Sequence, residues 1–221
     1  MKKRTGKELC IAVSLLVSFI LWTVAICFVD VQNIGPQGSS VGFATWNGIV
    51  HDFIGVHMLL YTITDWLGLV PIGFGMGFAM LGLIQWVKRK CLWKVDYSIL
   101  VLGVFYIVVI AVYVLFEMFV VNYRPVLMNG YLEASYPSST TMLVMCVMPT
   151  AIMQLSARIK HNIVKCCVNF LLIAFIGFMV IGRLISGVHW VTDIIGGALL
   201  SAGLVMLYHV ICSLNFNITG G

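Results

Sequence analysis

Charge is the scarcest property of this 221-residue chain. Only 10% of its residues are Asp, Glu, Lys or Arg, against about 25% in soluble domains. Apolar residues make up 61%, and the mean hydropathy is +1.05. That balance excludes an ordinary water-soluble domain and a disordered chain. The net charge of +5 comes from a few short clusters, so no basic face follows a phosphate backbone, which excludes a nucleic-acid partner. A disulfide framework is missing as well. The seven Cys are odd in number, and most lie in apolar runs or beside Lys and Arg, as Cys91, Cys166 and Cys167 do. They read as reduced, lipid-buried thiols. No linker rich in Pro, Ser or Gly and no internal repeat divides the chain, so 1–221 reads as one domain. This is an integral membrane protein.

A spanning helix needs roughly 20 mostly apolar residues. Six stretches qualify, at about 9–29, 67–87, 97–117, 138–156, 167–185 and 193–214. The expected fold class is therefore all-α, a six-helix transmembrane bundle. Lys2, Lys3, Arg4 and Lys7 precede the first stretch, but no small-residue cleavage site follows, so it is expected to remain as an uncleaved span. Four more basic residues lie between spans two and three (Lys88, Arg89, Lys90, Lys94), and three between spans four and five (Arg158, Lys160, Lys165). The positive-inside rule then puts both termini in the cytoplasm. Arg124 and Arg183 alone fall at the opposite face and need another reason to be there. The Asn217-Ile218-Thr219 acceptor would be cytoplasmic and unglycosylated.

The longest extramembrane piece is 30–66. Residues 33–38 read as turns. Residues 45–66 read as one partly amphipathic interfacial helix anchored by Trp46, Tyr61 and Trp66. On it, His51, Asp52, His57 and Asp65 are expected to be solvated polar positions, since His51 and His57 do not share a helical face. Gly73 and Gly77 in span two have the spacing of close helix packing.

Three separated segments converge on the outer face within the region 117–193: Glu117 to Arg124-Pro125, Tyr136 to Thr140, and Arg183 through His189 to Asp193. Pro137-Ser138 is a helix start, with Ser138 as N-cap and the N–H groups of Ser139, Thr140 and Thr141 left without helical partners. Such a terminus receives anions, and two arginines at its depth supply forked donors for phosphate oxygens. Taken by itself, the Ser/Thr cluster is better explained by plain capping. Asp193 lies four residues after His189, where a carboxylate can fix an imidazole tautomer and leave the other nitrogen as a nucleophile. A lone His/Asp pair is often merely structural, although ionisable groups at a membrane boundary are more often functional. One histidine and one nearby carboxylate do not make a metal site, and no cofactor is expected.

These residues resemble the type 2 phosphatidic acid phosphatase superfamily of membrane lipid phosphatases and vanadium haloperoxidases. Its pattern is Lys, six residues, Arg-Pro; then Pro-Ser-Gly-His; then Ser-Arg, five residues, His, three residues, Asp. Arg124-Pro125, Pro137-Ser138 and the Arg183, His189, Asp193 triplet match it in order. The resemblance implies a phosphohistidine formed on His189, oriented by Asp193. Arg124, Arg183 and the Ser138, Ser139, Thr140 turn would hold the phosphoryl oxygens. The implied substrate is a lipid phosphate or diphosphate, phosphatidate-like or polyprenyl, taken from the bilayer of a bacterial plasma membrane at its extracytoplasmic face. Four positions depart from the pattern. Glu117 replaces the lysine, Ser139 the glycine, Thr140 the second histidine and Gly182 the serine. Threonine is too weak an acid to protonate a leaving group, and an ionised Glu117 repels phosphate unless it pairs with an arginine or serves as a substitute acid. A phosphatase-like protein that only binds a headgroup or partner, and a lipid phosphotransferase, remain as alternatives.

Overall fold

The computed structural model describes residues 2–219, with side chains from 5 to 214. The side chains of Lys2, Lys3 and Arg4 and the Asn217-Ile218-Thr219 acceptor lie outside that range. The described helices are α1 (Lys2–Phe28), α2 (Ala44–Ile54), α3 (Met58–Leu67), α4 (Leu69–Arg89), α5 (Tyr97–Met118), α6 (Ser139–Arg158), α7 (Asn162–Ile185) and α8 (Val191–Thr219). Six helical stretches are long and apolar enough to span a bilayer, as expected: Thr5–Phe28, Met58–Arg89, Tyr97–Met118, Ser139–Arg158, Asn162–Ile185 and Val191–Leu214. The protein is a multi-pass integral membrane protein.

The bundle has an inner pair. In α6 and α8, 56% of the spanning window is buried inside the protein, against 11–22% in the other four spans. Lipid is thus the solvent of α1, α4, α5 and α7, and protein is the solvent of α6 and α8. Their buried faces join Met142, Cys146 and Ala151 of α6 to Leu200, Leu204, Val205 and Tyr208 of α8, with Phe105 of α5 alongside. α1 runs against α8, and its Trp22 Nε1 donates to the Thr192 carbonyl (3.1 Å).

Three expectations need correction. The helix expected over 45–66 is two helices broken at Gly55, whose φ of +72° ends α2. α3 then continues into α4, so the second span begins at Met58 rather than near 67, and Tyr61 and Asp65 belong to it. Thr62, Thr64 and Asp65 interrupt the apolar run of α3 and hide this extension. The fifth span likewise begins at Asn162 rather than near 167, and Cys166 and Cys167 lie on its exposed face. Gly73 and Gly77 make no close helix packing, because a Cβ added at either would meet nothing within 4 Å.

At the end of the bundle carrying α2, the α2–α3 and α7–α8 turns lock together, and α2 joins the start of α8. Gly187 has φ +68°, and a Cβ there would lie 1.9 Å from the Gly55 carbonyl oxygen, so only glycine lets the two turns meet. The His57 N–H donates to the Ser186 carbonyl across the same contact (2.9 Å). Asn47 of α2 reaches Thr192 at the start of α8, donating to its Oγ1 (3.0 Å) and accepting from its N–H (3.3 Å).

Candidate active site

The α5–α6 connection folds back on itself. Asn129 and Gly130 both have positive φ (51° and 85°), the conformation that tight hairpin turns demand. Tyr123 pairs with Ala134, the Arg124 N–H donates to the Glu133 carbonyl (3.0 Å), and the Ser135 N–H donates to the Asn122 carbonyl (2.9 Å). This register carries Asn122, Arg124 and Ser135 to the start of α8. There the Ser138 N–H donates to the Asp193 carbonyl (3.1 Å). Gly196 makes the approach possible, since a Cβ on it would sit 2.3 Å from the Tyr136 ring.

His189 is 3% exposed, and both its ring nitrogens have neighbours. Arg124 Nη1 lies 3.1 Å from Nε2. A guanidinium only donates, so Nε2 must carry the lone pair and Nδ1 the proton. The Nδ1–H faces Ser135 Oγ at 3.4 Å, and Ser135 Oγ donates in turn to Asp193 Oδ2. Asp193 Oδ2 also accepts the Trp190 N–H (2.9 Å), and its Oδ1 accepts from Asn122 Nδ2 (3.4 Å). The direct His189–Asp193 separation is 3.8 Å, beyond a hydrogen bond. The expected pair is therefore a chain in which Ser135 stands between imidazole and carboxylate. Burial lowers the His189 pKa to about 4, and the Arg124 and Arg183 charges act in the same direction against Asp193. At neutral pH the ring is an uncharged base with its nucleophilic nitrogen defined.

Arg183 is 1% exposed, in the last turn of α7, and side chains of α3 hold it. Its Nη2 lies 3.3 Å from Asp65 Oδ1, its Nη1 3.4 Å from Thr64 Oγ1, and its guanidinium carbon 4.7 Å over the Tyr61 ring. Asp65 is exposed, as expected of a solvated position, but it and Tyr61 are also partners of the buried arginine. Arg124 Nε lies 3.2 Å from Glu133 Oε2, an ion-pair approach without hydrogen-bond alignment.

The start of α6 is at the expected place with an unexpected surplus. Ser138 occupies the N-cap position but makes no capping bond, and its buried Oγ and the Thr141 Oγ1 have no partner. A buried hydroxyl left unpaired costs about 1–3 kcal/mol, a cost that a bound anion's oxygens would remove. Ser139 and Thr140 line a cleft between α4 and α5, and Ser139 also faces Ser135 of the imidazole chain across a small cavity. Glu117 is exposed and borders a cavity of about 10 Å³ with Ser135 and Ser139, room for one water.

The model of the PAP2 superfamily matches residues 99–216, more than half of the chain. The chain belongs to the PAP2 superfamily. A solved structure described as the first transmembrane PAP2-type phosphatidylglycerolphosphate phosphatase from Bacillus subtilis is similar in fold, with a TM-score of 0.57 and 19% identity. The likeness covers 94% of this chain and 96% of that one. Among curated proteins none matches. The PAP2 match includes α5 to α8, and so Arg124, Ser135, Arg183, His189 and Asp193. It leaves out α2 and α3, and with them Asn47, Tyr61, Thr64 and Asp65.

Sequence reasoning missed Ser135, Asn122 and Asp65. The Asn129-Gly130 dipeptide was the available signal for the first two. A hairpin turn at that point pairs residues on either side of it and brings Asn122 and Ser135 to the level of Arg124.

Proposed function

We propose that this PAP2 protein is a lipid phosphatase that removes phosphate from a lipid phosphate or diphosphate through a phosphohistidine on His189. The observation that carries the reading is the tautomer imposed on a buried, neutral imidazole, with Arg124 at the nucleophilic nitrogen. In the free protein Arg124 caps the Nε2 lone pair. An incoming phosphoryl group offers the guanidinium better acceptors and draws it off. The Nε2 lone pair then attacks the terminal phosphorus, its bond to the lipid oxygen of a monoester or to the bridging oxygen of a diphosphate breaks, and that oxygen leaves with the electron pair. The imidazolium so formed keeps its Nδ1 proton, and Ser135 and Asp193 stabilise its charge. Water splits the P–N bond in the second step, releasing orthophosphate and restoring the neutral ring.

The site would face the extracytoplasmic side. Lys7, the basic residues of the α4–α5 connection and those of the α6–α7 connection all lie at the opposite end, which the positive-inside rule assigns to the cytoplasm. Cys91, half-buried in the α4–α5 connection, should then react with a membrane-impermeant maleimide only in opened cells. Labelling in intact cells would invert the orientation.

A specific observation favours a second reading, a binder without turnover: Asp65 and Glu133 already stand against both arginines. Phosphate release from a panel of lipid mono- and diphosphates, with His189→Ala as control, separates the two. Turnover that disappears in the variant, while the thermal transition is kept, supports the phosphatase. Equal turnover in the two proteins removes the phosphohistidine.

A further inference from the structure

Trp190 stands between the two loops that meet at the imidazole. It immediately precedes α8, and its N–H donates to Asp193 Oδ2 (2.9 Å) in the first turn of that helix. A carboxylate there that reaches back to the N–H before the helix is half of a capping box, and it fixes the far end of the imidazole chain. The indole serves the other loop. Its Nε1–H donates to the Tyr123 carbonyl (2.8 Å), and Trp190 is 3% exposed. In the hairpin the Asn122 carbonyl and the Arg124 N–H bond across to Ser135 and Glu133. Tyr123, between them, therefore turns its carbonyl outward. The indole takes that carbonyl one residue before Arg124, whose Nη1 lies 3.1 Å from His189 Nε2.

Packing alone does not hold the indole. On the α2 side the His51 ring lies tilted against it at 5.4 Å, and both residues border a cavity of about 360 Å³ that also reaches Pro125. A ring beside open space lacks contacts on that side, so the bond to the Tyr123 carbonyl decides where the indole sits. We propose that Trp190 is a positioning residue: its indole N–H sets the distance between Arg124 and the nucleophilic nitrogen of His189, while its backbone N–H holds Asp193. The effect on turnover rests on the phosphatase reading, and the effect on the free site does not.

The N–H can be removed without the ring. Benzothienylalanine in place of Trp190 keeps the fused rings and exchanges the N–H for sulfur, and Trp190→Phe is the genetic counterpart. The thermal transition checks that each protein folds. The charged groups facing the imidazole are Arg124 from the hairpin, Arg183 from α7 and Asp193 from α8. Without the tie Arg124 retreats, and a more distant cation lets the imidazole protonate more readily. NMR of isotope-labelled histidine in the full chain reads this, with the His189 signal identified by its loss in His189→Ala. Its titration should move upward by about 1 pH unit, the low end of what a contacting charge is worth. In an Arg124→Gln background the same replacement should move it no further, because the two changes act through one contact. An unmoved titration, or an equal further rise in the Arg124→Gln background, overturns the proposal. With farnesyl diphosphate as the probe, kcat should fall roughly 10–100-fold, the size expected of a misplaced group beside the chemistry. Wild-type kcat without the indole N–H overturns the proposal as well. If the unaltered protein hydrolyses nothing while the titration moves as stated, the positioning of Arg124 stands and the phosphatase reading falls.

Discussion

The two ends of the bundle each hold arginines against carboxylates, and they are built differently. At the end opposite the site, Asp96 accepts from Gln85 Nε2 (2.8 Å) and Arg89 Nη1 (3.0 Å), with Arg158 Nη2 at 3.6 Å. The Asp96 N–H returns a bond to Gln85 Oε1 (2.9 Å), Arg158 Nη1 donates to the Gln154 carbonyl, and Gln154 donates to Tyr208. Its charged groups are 32–44% exposed, and none of its side-chain atoms is buried without a partner. It is a closed joint between α4, α5, α6 and α8. At the site end the arginines are almost fully buried, and two buried hydroxyls in the first turn of α6, those of Ser138 and Thr141, lack partners. The histidine there is held in its less common charge environment, far below its ordinary pKa. A joint satisfies its polar groups within itself, and a site leaves some for a ligand.

That contrast predicts opposite responses to substitution. The largest effect belongs to Asp193→Asn, which removes the carboxylate at the end of the imidazole chain and should lower kcat about 10²–10⁴-fold with a folded protein. Ser135→Ala, which cuts the chain in its middle, should cost about 10–100-fold in kcat with little change in KM, as expected for a positioning residue. Ser135→Thr, which keeps the hydroxyl, should recover much of the rate. Wild-type kcat in Ser135→Ala would return the orienting role to Asp193 alone.

Next in size is the choice of leaving group. A lipid monoester expels an alkoxide, whose conjugate acid is about as weak as water. A diphosphate expels a phosphate ester whose second pKa is about 6, and it needs no proton donor. With Thr140 where the family pattern has histidine, diphosphate turnover should exceed monoester turnover by a factor within the about 10²–10⁴ that general acids supply. Thr140→His should narrow the gap. Faster turnover of phosphatidate by the wild type would point to Glu117 as the acid, through the small cavity it shares with Ser135 and Ser139.

A smaller effect concerns pH. The nucleophile must be neutral, and its lowered pKa of about 4 puts the acid limb of kcat/KM near pH 4 rather than near 6.5. Arg124→Gln removes a charge that disfavours the imidazolium, so the limb should move upward in the variant. An unchanged limb would mean that burial, Arg183 and Asp193 set it without Arg124.

Much of this was legible in the sequence, for identifiable reasons. Spans and their order follow from apolar length, and His189 and Asp193 share a face through a spacing of four that Gly187 resets. Arg124 and Arg183 stood out because they broke the charge bias. Ser135 and Asp65 could not be found that way, because their roles come from tertiary approach. Ser135 depends on a hairpin register and on Gly196 admitting Tyr136. Asp65 depends on α3 being the first turns of a span, which the Gly55 break decides and hydropathy does not. Glu133 is one residue among many loop carboxylates until the hairpin sets it opposite Arg124.

The smallest predicted effect comes from the closed joint, and it tests the contrast from the other side. Burial pushes the Asp96 carboxyl up, but the hydrogen bonds from Gln85 and Arg89 and the charges of Arg89 and Arg158 outweigh it, and the pKa lies below its ordinary value. A depressed carboxyl stabilises the fold above its unfolded pKa, and that contribution disappears as pH falls through the folded value. The pair is partly exposed and screened, so Asp96→Asn should cost no more than about 1 kcal/mol at neutral pH. The difference in thermal midpoint between Asp96→Asn and the wild type should therefore be a few degrees at pH 7 and vanish below the ordinary carboxyl range. Phosphate release should be unchanged throughout, because nothing at this end faces the imidazole. A loss of kcat in Asp96→Asn at full stability would mean that the two ends communicate through α6 and α8. The division between joint and site would then be wrong.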